Sequence, residues 1–296
     1  MRPFEYTSPT TAQQVPALLS KSWGEVEILA GGSDLLSLMK DEITTPRRLV
    51  NIKQVAGLHA ISNEGGALQF GTLVTLDRIG AASEVQHQHP MLASAAGDAA
   101  SPQIRNVATI GGNLCQRPRC WYFRTGYGLL AQKDGKSLVT QGDNRYHAIL
   151  GNDGPAYFVS PSTIAPVLIA YNAKLQIMGP RGSRDLPLEK FFVIPKTDQQ
   201  REHDLQPDEF ITHVIVPPAP GVRAAHYEAA EALQGKAVTP ATADEAAKAA
   251  VSNAKSLGHN TQKIHLARVA VKRAILAAAG APARASVERN GHGGVA

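Results

Sequence analysis

Apolar residues in the first two thirds of this chain form short runs that alternate with polar positions and end at glycine- or proline-containing turns. Short runs of aliphatic and β-branched residues bounded by such turns are typical of strands. A turn at residues 64–66 predicts a hairpin, with its second strand at 68–73. The predicted strands span residues 4–6, 25–30, 47–52, 68–73, 174–178, 188–193 and 209–216.

Helices are predicted where a capping residue precedes apolar positions spaced three or four apart. Thr10 or Thr11 is expected to begin the first helix, Ser33 the second and Thr75 the third. Pro16 disfavours a regular first helix. The predicted helices span residues 10–21, 34–40, 75–85, 90–100, 243–257 and 261–279.

Two glycine pairs follow apolar runs and are themselves followed by small polar residues. Gly31 and Gly32 precede Ser33, and Gly111 and Gly112 precede Asn113. Glycine lacks a Cβ, so its backbone can approach an anion closely, and a helix that begins there adds its positive end. A single pair is typical of an ordinary turn. Two such pairs favour one extended ligand held from two sides.

The segments around these pairs resemble a known family. Residues 30–36 (AGGSDLL) and 101–114 (SPQIRNVATIGGNL) are similar to the two flavin-binding signatures of the FAD subunits of molybdenum hydroxylases, which are the medium subunits of the xanthine dehydrogenase, carbon monoxide dehydrogenase and aldehyde oxidoreductase group. The resemblance runs from about residue 4 to 217 and resumes near 230. It implies an α+β, two-subdomain FAD-binding fold of the vanillyl-alcohol-oxidase/xanthine dehydrogenase type.

The resemblance also implies which residues hold the cofactor, FAD. Its diphosphate is expected on the two glycine loops, with further contacts from the turn at 71–76 and the segment 157–170. There the family usually has a Ser-Asp pair, whereas this chain has Ser162 and Thr163 and so lacks the carboxylate. The implied FAD-binding residues are Leu29, Ala30, Gly31, Gly32, Ser33, Asp34, Leu35, Gly71, Thr72, Ser101, Thr109, Ile110, Gly111, Gly112, Asn113, Leu114, Gln116, Thr163 and Ile164.

By the same resemblance, the chain passes electrons rather than acting on a substrate. A [2Fe–2S] small subunit would deliver electrons from a molybdenum-cofactor large subunit to FAD, which reduces an external electron acceptor. No residue is typical of a general base or nucleophile, so no catalytic residue is expected on this chain. The alternative is a degenerate flavin-binding or structural remnant without turnover.

Cys115 and Cys120 are the only cysteines, and their spacing does not match a zinc site. Some subunits that resemble this one hold a [4Fe–4S] cluster through several cysteines beginning near Cys120. Such a cluster normally needs four thiolates, and residues 125–139 contain none. We therefore expect no metal ligand on this chain and two buried, reduced thiols.

Residues 116–124 (QRPRCWYFR) are similar to the aldehyde oxidoreductase branch of the family. Their arginines could contact a phosphate or an acidic partner, and their aromatic residues could stack on a planar group. An ordinary surface loop with buried aromatic residues is the alternative interpretation. A Rossmann site at Gly126 and Gly128 is disfavoured because no strand precedes them.

The net charge of +5 does not indicate a nucleic-acid protein, because the basic residues are scattered and no aromatic platform accompanies them. No apolar run approaches the roughly 18 residues of a membrane span, and the N-terminus lacks the pattern of a signal peptide. We expect a cytoplasmic protein without membrane or nucleic-acid partners, or a periplasmic one if a partner carries it through export.

The domain organisation follows from the resemblance. FAD-binding subdomain 1 is expected at residues 1–55, subdomain 2 at 56–220, a shortened helical C-terminal domain at 221–280 and a disordered tail at 281–296. Members of the family continue into a three-stranded sheet in the C-terminal domain, and here those strands are missing. The apolar stripe Ile264, Ala267, Val271 and Ile275 should therefore need another partner.

Overall fold

The N-terminal part of the chain is a small parallel sheet. The computed structural model describes residues 1–218 and 227–279. Strands β1 (Glu5–Thr7), β2 (Val26–Leu29) and β3 (Arg48–Asn51) pair in the order β1-β3-β2. Both neighbours of β3 run parallel to it. Its Val50, fully buried, packs in a core that also contains Val15 and Phe210.

The first helix is shorter than predicted. Helix α1 (Gln14–Leu18) begins after Gln13 rather than at Thr10 or Thr11. The carboxamide oxygen of Gln14 accepts hydrogen bonds from the backbone N–H groups of Thr10 and Thr11, at 3.0 and 3.2 Å, and holds them in a turn. Helix α2 (Leu35–Lys40) also corrects the prediction, because Asp34 occupies the N-cap position and neither Asp34 nor Ser33 caps it through its side chain.

A five-stranded antiparallel sheet forms the second part. Strands β4 (Ile61–Glu64) and β5 (Ala67–Gly71) make the predicted hairpin, and β10 (Phe210–Val216) pairs with β5 and with β8 (Lys174–Gly179). The predicted strand at 188–193 is wrong: residues Leu188–Lys190 form a 3₁₀ turn. The edge strand β9 (Gly182–Pro187) pairs with β8 instead. Its mostly exposed polar residues gave no alternating apolar signal.

Helices cover one face of this sheet and complete the largest core, which includes Phe70, Ile110 and Leu175. The predicted helix 75–85 is two helices, because the backbone of Ala82 is extended. Thr75 caps the first of them as expected and accepts a hydrogen bond from the N–H of Arg78. The helices are α3 (Leu76–Ala81), α4 (Ser83–Gln88), α5 (Pro90–Asp98), α6 (Pro102–Arg105), α7 (Ile110–Leu114) and α10 (Ala165–Ala170).

Between α7 and α10 the chain forms short elements at one side of the sheet. These are α8 (Trp121–Arg124), β6 (Gln132–Lys133), β7 (Lys136–Ser137) and α9 (Leu138–Gln141). Gly126 and Gly128 follow helix α8 rather than a strand, as the sequence indicated. Phe123 and Leu129 pack on Leu38 of α2, so this segment is fixed to the N-terminal part.

The described C-terminal residues, 227–279, contain three helices and no strand: α11 (Tyr227–Leu233), α12 (Pro240–Ala249) and α13 (Gln262–Ala278). Val271 and Ile275 of α13 pack against Ala229, Ala246 and Ala250, so part of the predicted apolar stripe is covered by α11 and α12. The predicted tail at 281–296 and the residues 219–226 lie outside the described residues. Within residues 1–218 and 227–279, every helix is too short or too polar to cross a bilayer.

Buried asparagines attach these helices to residues 143–153. Asn144 donates to the carbonyl of Leu257 at 2.7 Å and accepts from the N–H of His259 at 2.9 Å. Asn260, fully buried, donates to the carbonyls of His147 and Ala148. The C-terminal helices are therefore held largely by amide hydrogen bonds to the backbone.

Candidate flavin site

The two glycine loops lie side by side and line one cavity. Loop 1 contains Gly31 and Gly32, and loop 2 contains Gly111 and Gly112. A Cβ on Gly31 would overlap the carbonyl oxygen of Val107, in the segment that leads into loop 2. The predicted residues on the cavity wall are Ala30, Gly31, Gly32, Ser33, Asp34, Leu35, Thr72, Thr109, Gly111, Gly112 and Gln116.

The structure shows that glycine is required at these positions for a different reason from the one that the sequence suggested. Gly31 and Gly111 are glycines because protein atoms occupy the space of a side chain: the backbone of Val107 in the first case and the hydroxyl of Thr72 in the second. Gly32 has φ +76°, a conformation that glycine adopts without strain. The absent side chains therefore bring the two loops together, and the cavity forms beside them.

Loop 1 provides free backbone donors. Within the described residues, the N–H groups of Gly32, Ser33 and Asp34 donate to no other group. Consecutive unpaired N–H groups in a turn form a concave site for an anion. This part of the site fits the diphosphate of FAD.

Loop 2 is already hydrogen-bonded within the protein. The N–H of Gly111 donates to the carbonyl of Thr72, and that of Gly112 to the hydroxyl of Thr109, both at 3.1 Å. Thr109 thereby caps α7. The free donors of the cavity therefore lie in loop 1, and loop 2 supplies its opposite boundary.

Several predicted site residues lie away from the cavity wall. Asn113 accepts a hydrogen bond at 2.7 Å from Ser162, so the hydroxyl next to Thr163, and not Thr163 itself, connects this segment to loop 2. Ser101 caps α6, and Gly71 packs on the backbone of Leu58. The predicted residues outside the wall are Leu29, Gly71, Ser101, Ile110, Asn113, Leu114, Thr163 and Ile164, of which Ile110, Leu114 and Ile164 are core residues.

Arginines and carboxylates surround the end of loop 1. Asp34 accepts hydrogen bonds from the guanidinium of Arg124 and from the backbone N–H of Arg117, both at 2.8 Å. Arg119 is also within ion-pair distance of Asp34, at 3.4 Å. The guanidinium of Arg117 pairs with Glu202 at 2.6 Å. The arginines of the 116–124 segment therefore bind carboxylates of their own chain.

A second group of charged and aromatic residues on the wall was not found by the sequence analysis. Arg201 pairs with Glu27 at 2.9 Å, and its guanidinium lies over the ring of Trp23, 4.5 Å from the centroid. His203 stacks on Phe191. The sequence analysis assigned no strand or helix to residues 194–208, which contain Arg201 and His203, and their polar composition was the only signal there. Charged side chains are rarely buried, so their burial here makes this group part of the candidate site.

Burial changes the protonation of two groups in this region. It lowers the pKa of His203 to about 3, so the imidazole is neutral, and its Nδ1 has no hydrogen-bond partner. It also raises the pKa of Glu202 to about 7, with nearby Asp34 acting in the same direction and Arg201 and Arg124 opposing.

Both cysteines are free thiols, and both are partly rather than completely buried. Burial raises the pKa of Cys115 to about 12. The sulfur of Cys120 lies 3.1 Å from Nε2 of His147. Among residues 1–218 and 227–279, no three histidines, cysteines or carboxylates come together as a metal site would require.

The enclosed part of the cavity measures about 170 Å³. Pockets for whole ligands usually enclose roughly 300–1,000 Å³. The enclosed part therefore has room for a diphosphate and adjoining atoms, and the rest of a dinucleotide would extend along the open surface or require side chains of the wall to move.

Comparison with known proteins identifies the family of the chain. Residues 2–219 match the family model described as the FAD binding domain in molybdopterin dehydrogenase. The chain is 32% identical over 225 residues to the aldehyde oxidoreductase FAD-binding subunit PaoB of Escherichia coli (strain K12), covering 75% of this chain and 70% of that protein. It is 29% identical to the carbon monoxide dehydrogenase medium chain of Hydrogenophaga pseudoflava, covering 64% of this chain and about half, 52%, of that one.

Solved structures show the same fold. Carbon monoxide dehydrogenase from Hydrogenophaga pseudoflava superposes with a TM-score of 0.70 at 24% identity, covering 94% of this chain and 98% of that chain. Quinoline 2-oxidoreductase from Pseudomonas putida 86 gives the same TM-score at 21% identity. The predicted α+β fold is confirmed. The chain belongs to the family of FAD-binding domains of molybdopterin dehydrogenases, and it is an oxidoreductase subunit whose cofactor is FAD.

Proposed function

We propose that this chain is the electron-transfer subunit of a molybdenum-containing hydroxylase of the aldehyde or xanthine dehydrogenase type. In this proposal, electrons pass from a [2Fe–2S] small subunit to FAD and then to an external acceptor. The observation that carries the proposal is the shared cavity of the two glycine loops, with free N–H groups on loop 1. FAD supplies the redox chemistry when bound.

The chain's own part is to hold and surround the cofactor. The N–H groups of Gly32, Ser33 and Asp34 would donate to the diphosphate, and loop 2 would close the other side. The thiol of Cys120 lies beside the imidazole of His147, but neither residue lines the cavity, and burial raises the pKa of the thiol and so favours its neutral form. The hydroxylation therefore belongs to a molybdenum-cofactor large subunit, and the substrate is set there.

Relatives of the chain support a complex of several subunits. Their names include a FAD-binding subunit of aldehyde oxidoreductase and a medium chain of carbon monoxide dehydrogenase. A subunit of this kind needs partners on both sides of the electron path. We therefore propose an iron–sulfur small subunit and a molybdenum large subunit as its partners.

A second candidate function has support from the C-terminal part. The described residues after β10 are helical only, and Leu266 of α13 is 61% exposed. A subunit that has lost part of this region could retain FAD without exchanging electrons with partners. The alternative is thus a degenerate flavin-binding or structural remnant without turnover.

Purification of the tagged chain from its own cells distinguishes these candidates. We expect flavin absorption bands near about 370 and 450 nm, together with iron and molybdenum in fixed proportion to flavin. Flavin without either metal would support the degenerate flavin-binding subunit. A colourless protein that also fails to bind added FAD would contradict both flavin-binding functions.

A further inference from the structure

The buried charged side chains in and beside the cavity at loop 1 form ion pairs. Each buried arginine there has one carboxylate: Arg124 pairs with Asp34, Arg117 with Glu202 and Arg201 with Glu27. A diphosphate carries two negative charges, so it enters a region in which the arginines are already neutralised. Breaking one of these ion pairs would leave an arginine free to contact the phosphates and would favour binding of the diphosphate.

Arg117 is placed best to meet the diphosphate. It lines the cavity, and its backbone N–H is fixed to Asp34 at the end of loop 1. Only its Nε is paired, with Glu202, and its two terminal nitrogens make no hydrogen bond within the described residues. Arg201 also lines the cavity, donates one hydrogen bond to Glu27 and packs over Trp23, as Arg117 packs over Phe123. The bond from its backbone N–H to Asp34 is what distinguishes Arg117 and places it at the end of loop 1.

Arg124 is a poorer candidate for the same role. It does not line the cavity, and its guanidinium donates to the carbonyls of Pro118 and Arg117 in addition to Asp34. The terminal nitrogens of Arg117 are available to a phosphate, and the one guanidinium hydrogen bond that would break if Arg117 moved toward it is the bond to Glu202.

Glu202 is the carboxylate whose protonation would release Arg117 from its ion pair. Only 9% of its side chain is exposed, and its Oε2 is the one buried carboxylate oxygen in residues 1–218 and 227–279 without a hydrogen-bond partner. Burial without a full set of hydrogen-bond partners disfavours the charged form of a carboxyl group.

The groups around Glu202 are the cations Arg117, Arg201 and Arg124 and the anion Asp34, and the nearby thiol of Cys115 stays neutral. Burial and Asp34 oppose the ionised form of Glu202, whereas a backbone hydrogen bond, Arg201 and Arg124 favour it. The ion pair with Arg117 also favours the ionised form, so drawing Arg117 away removes part of that support.

We propose that Arg117 is a ligand of the FAD diphosphate and that Glu202 takes up one proton when FAD binds. The proton comes from the buffer and forms the O–H bond of the carboxylic acid, and no electron is transferred. Arg117 then leaves its ion pair and contacts the phosphate. This inference rests on the proposed placement of the diphosphate at loop 1.

Proton uptake makes FAD binding dependent on pH. In the FAD-free protein the pKa of Glu202 is about 7, and the proposal requires a higher pKa in the complex. Affinity is then constant below about pH 7, the pKa of Glu202 in the FAD-free protein. It falls as pH rises from there toward the pKa of Glu202 in the complex, by up to about tenfold per pH unit.

The test is FAD binding to the full-length apoprotein between about pH 6 and pH 8.5, a range in which Glu202 titrates. Quenching of flavin fluorescence gives the Kd, and calorimetry in two buffers of different ionisation enthalpy counts the protons taken up. We expect the wild-type Kd to rise with pH and up to about one proton to be taken up above pH 7.

Variants assign the effect to the two residues. Glu202→Gln should bind FAD with a Kd that no longer changes with pH and with no proton uptake. Arg117→Gln should weaken binding by about tenfold or more at every pH. Glu209→Gln is the matched control, because Glu209 lines the same cavity but has both oxygens paired with Arg184. It should keep the wild-type pH dependence.

An infrared difference spectrum provides a measurement that needs no variant. FAD binding at about pH 8 should increase the carbonyl band of a protonated carboxylic acid. Absence of proton uptake in the wild type, or a pH dependence that persists in Glu202→Gln, would overturn the inference while FAD binding itself remained. Failure to bind FAD at any pH would instead overturn this inference together with the proposed function.

Discussion

The carboxylate of Asp34 accepts a hydrogen bond at 2.8 Å from the guanidinium of Arg124, ninety residues later in the chain. Both side chains are largely buried, with 13% and 17% of their surfaces exposed. The same carboxylate accepts the backbone N–H of Arg117. Asp34 therefore connects the end of loop 1 to the segment that follows loop 2. Its carboxylate stabilises the cavity wall through these hydrogen bonds rather than binding a ligand.

Removal of this carboxylate should loosen loop 1. We expect Asp34→Ala to lower the free energy of unfolding by about 2–3 kcal/mol, because Arg124 and the N–H of Arg117 lose their acceptor. FAD affinity should fall with it. Urea unfolding of the apoprotein and a FAD titration measure the two effects.

The control for this variant is Asp185→Ala. Asp185 pairs with Lys174 on the sheet surface, where about half of each side chain is exposed. Exposed pairs contribute roughly 0–1 kcal/mol. An equal loss of stability in both variants would contradict the role given to Asp34.

Gly111 should not tolerate a side chain, because a Cβ there would overlap the hydroxyl of Thr72. We expect Gly111→Val to abolish FAD retention. Gly111→Ala should be milder, and the double variant with Thr72→Ala should recover part of the lost stability because the overlapping oxygen is gone. Thermal unfolding and the flavin-to-protein absorbance ratio are the measurements.

Gly97 offers a matched control in a helix. No atom lies within 4 Å of a Cβ built on it. Gly97→Ala should therefore be neutral or stabilise the protein by up to about 1 kcal/mol. Yellow colour undiminished in Gly111→Val would show that loop 2 does not border the flavin.

The local sequence predicted the glycine loops well and their surroundings poorly. Gly31, Gly32, Gly111 and Gly112 were recognised from short contiguous patterns, and the structure brings them to one cavity. The pairing of Arg117 with Glu202 joins residues 85 positions apart, so no local pattern carries it. Strand β9 was missed for a related reason: its pairing with β8, rather than its own polar residues, makes it a strand.

The buried imidazole of His203 should reduce stability in acid. Its pKa is about 3 in the folded protein and about 6.5 in the unfolded chain. The unfolded state therefore binds a proton first, and stability is full above about pH 6.5 and falls as pH drops toward 3. His203→Phe, which keeps a ring against Phe191, should flatten this decline. Urea unfolding across that pH range tests it, and an unchanged decline in the variant would contradict it.

The C-terminal helices should detach before the FAD cavity unfolds. They are held to residues 143–153 by amide side chains and by contacts of Lys255 and Lys263, and α13 has no fully buried residue. Asn260→Ala removes one of the two donors to each of the carbonyls of His147 and Ala148, and it removes the acceptor of the Leu257 N–H. This loss should cost about 1–3 kcal/mol in the attachment of these helices. Limited proteolysis should then cut residues 227–279 several times faster than in the wild type, while the fragment with both glycine loops stays intact. Asn63→Ala is the control: Asn63 lies in β4, its exposed side chain accepts a hydrogen bond from Gly66 of the β4–β5 turn, and its loss should leave that rate unchanged. Protection of the C-terminal part in Asn260→Ala would show that alanine packing among the helices, rather than the asparagines, holds it in place.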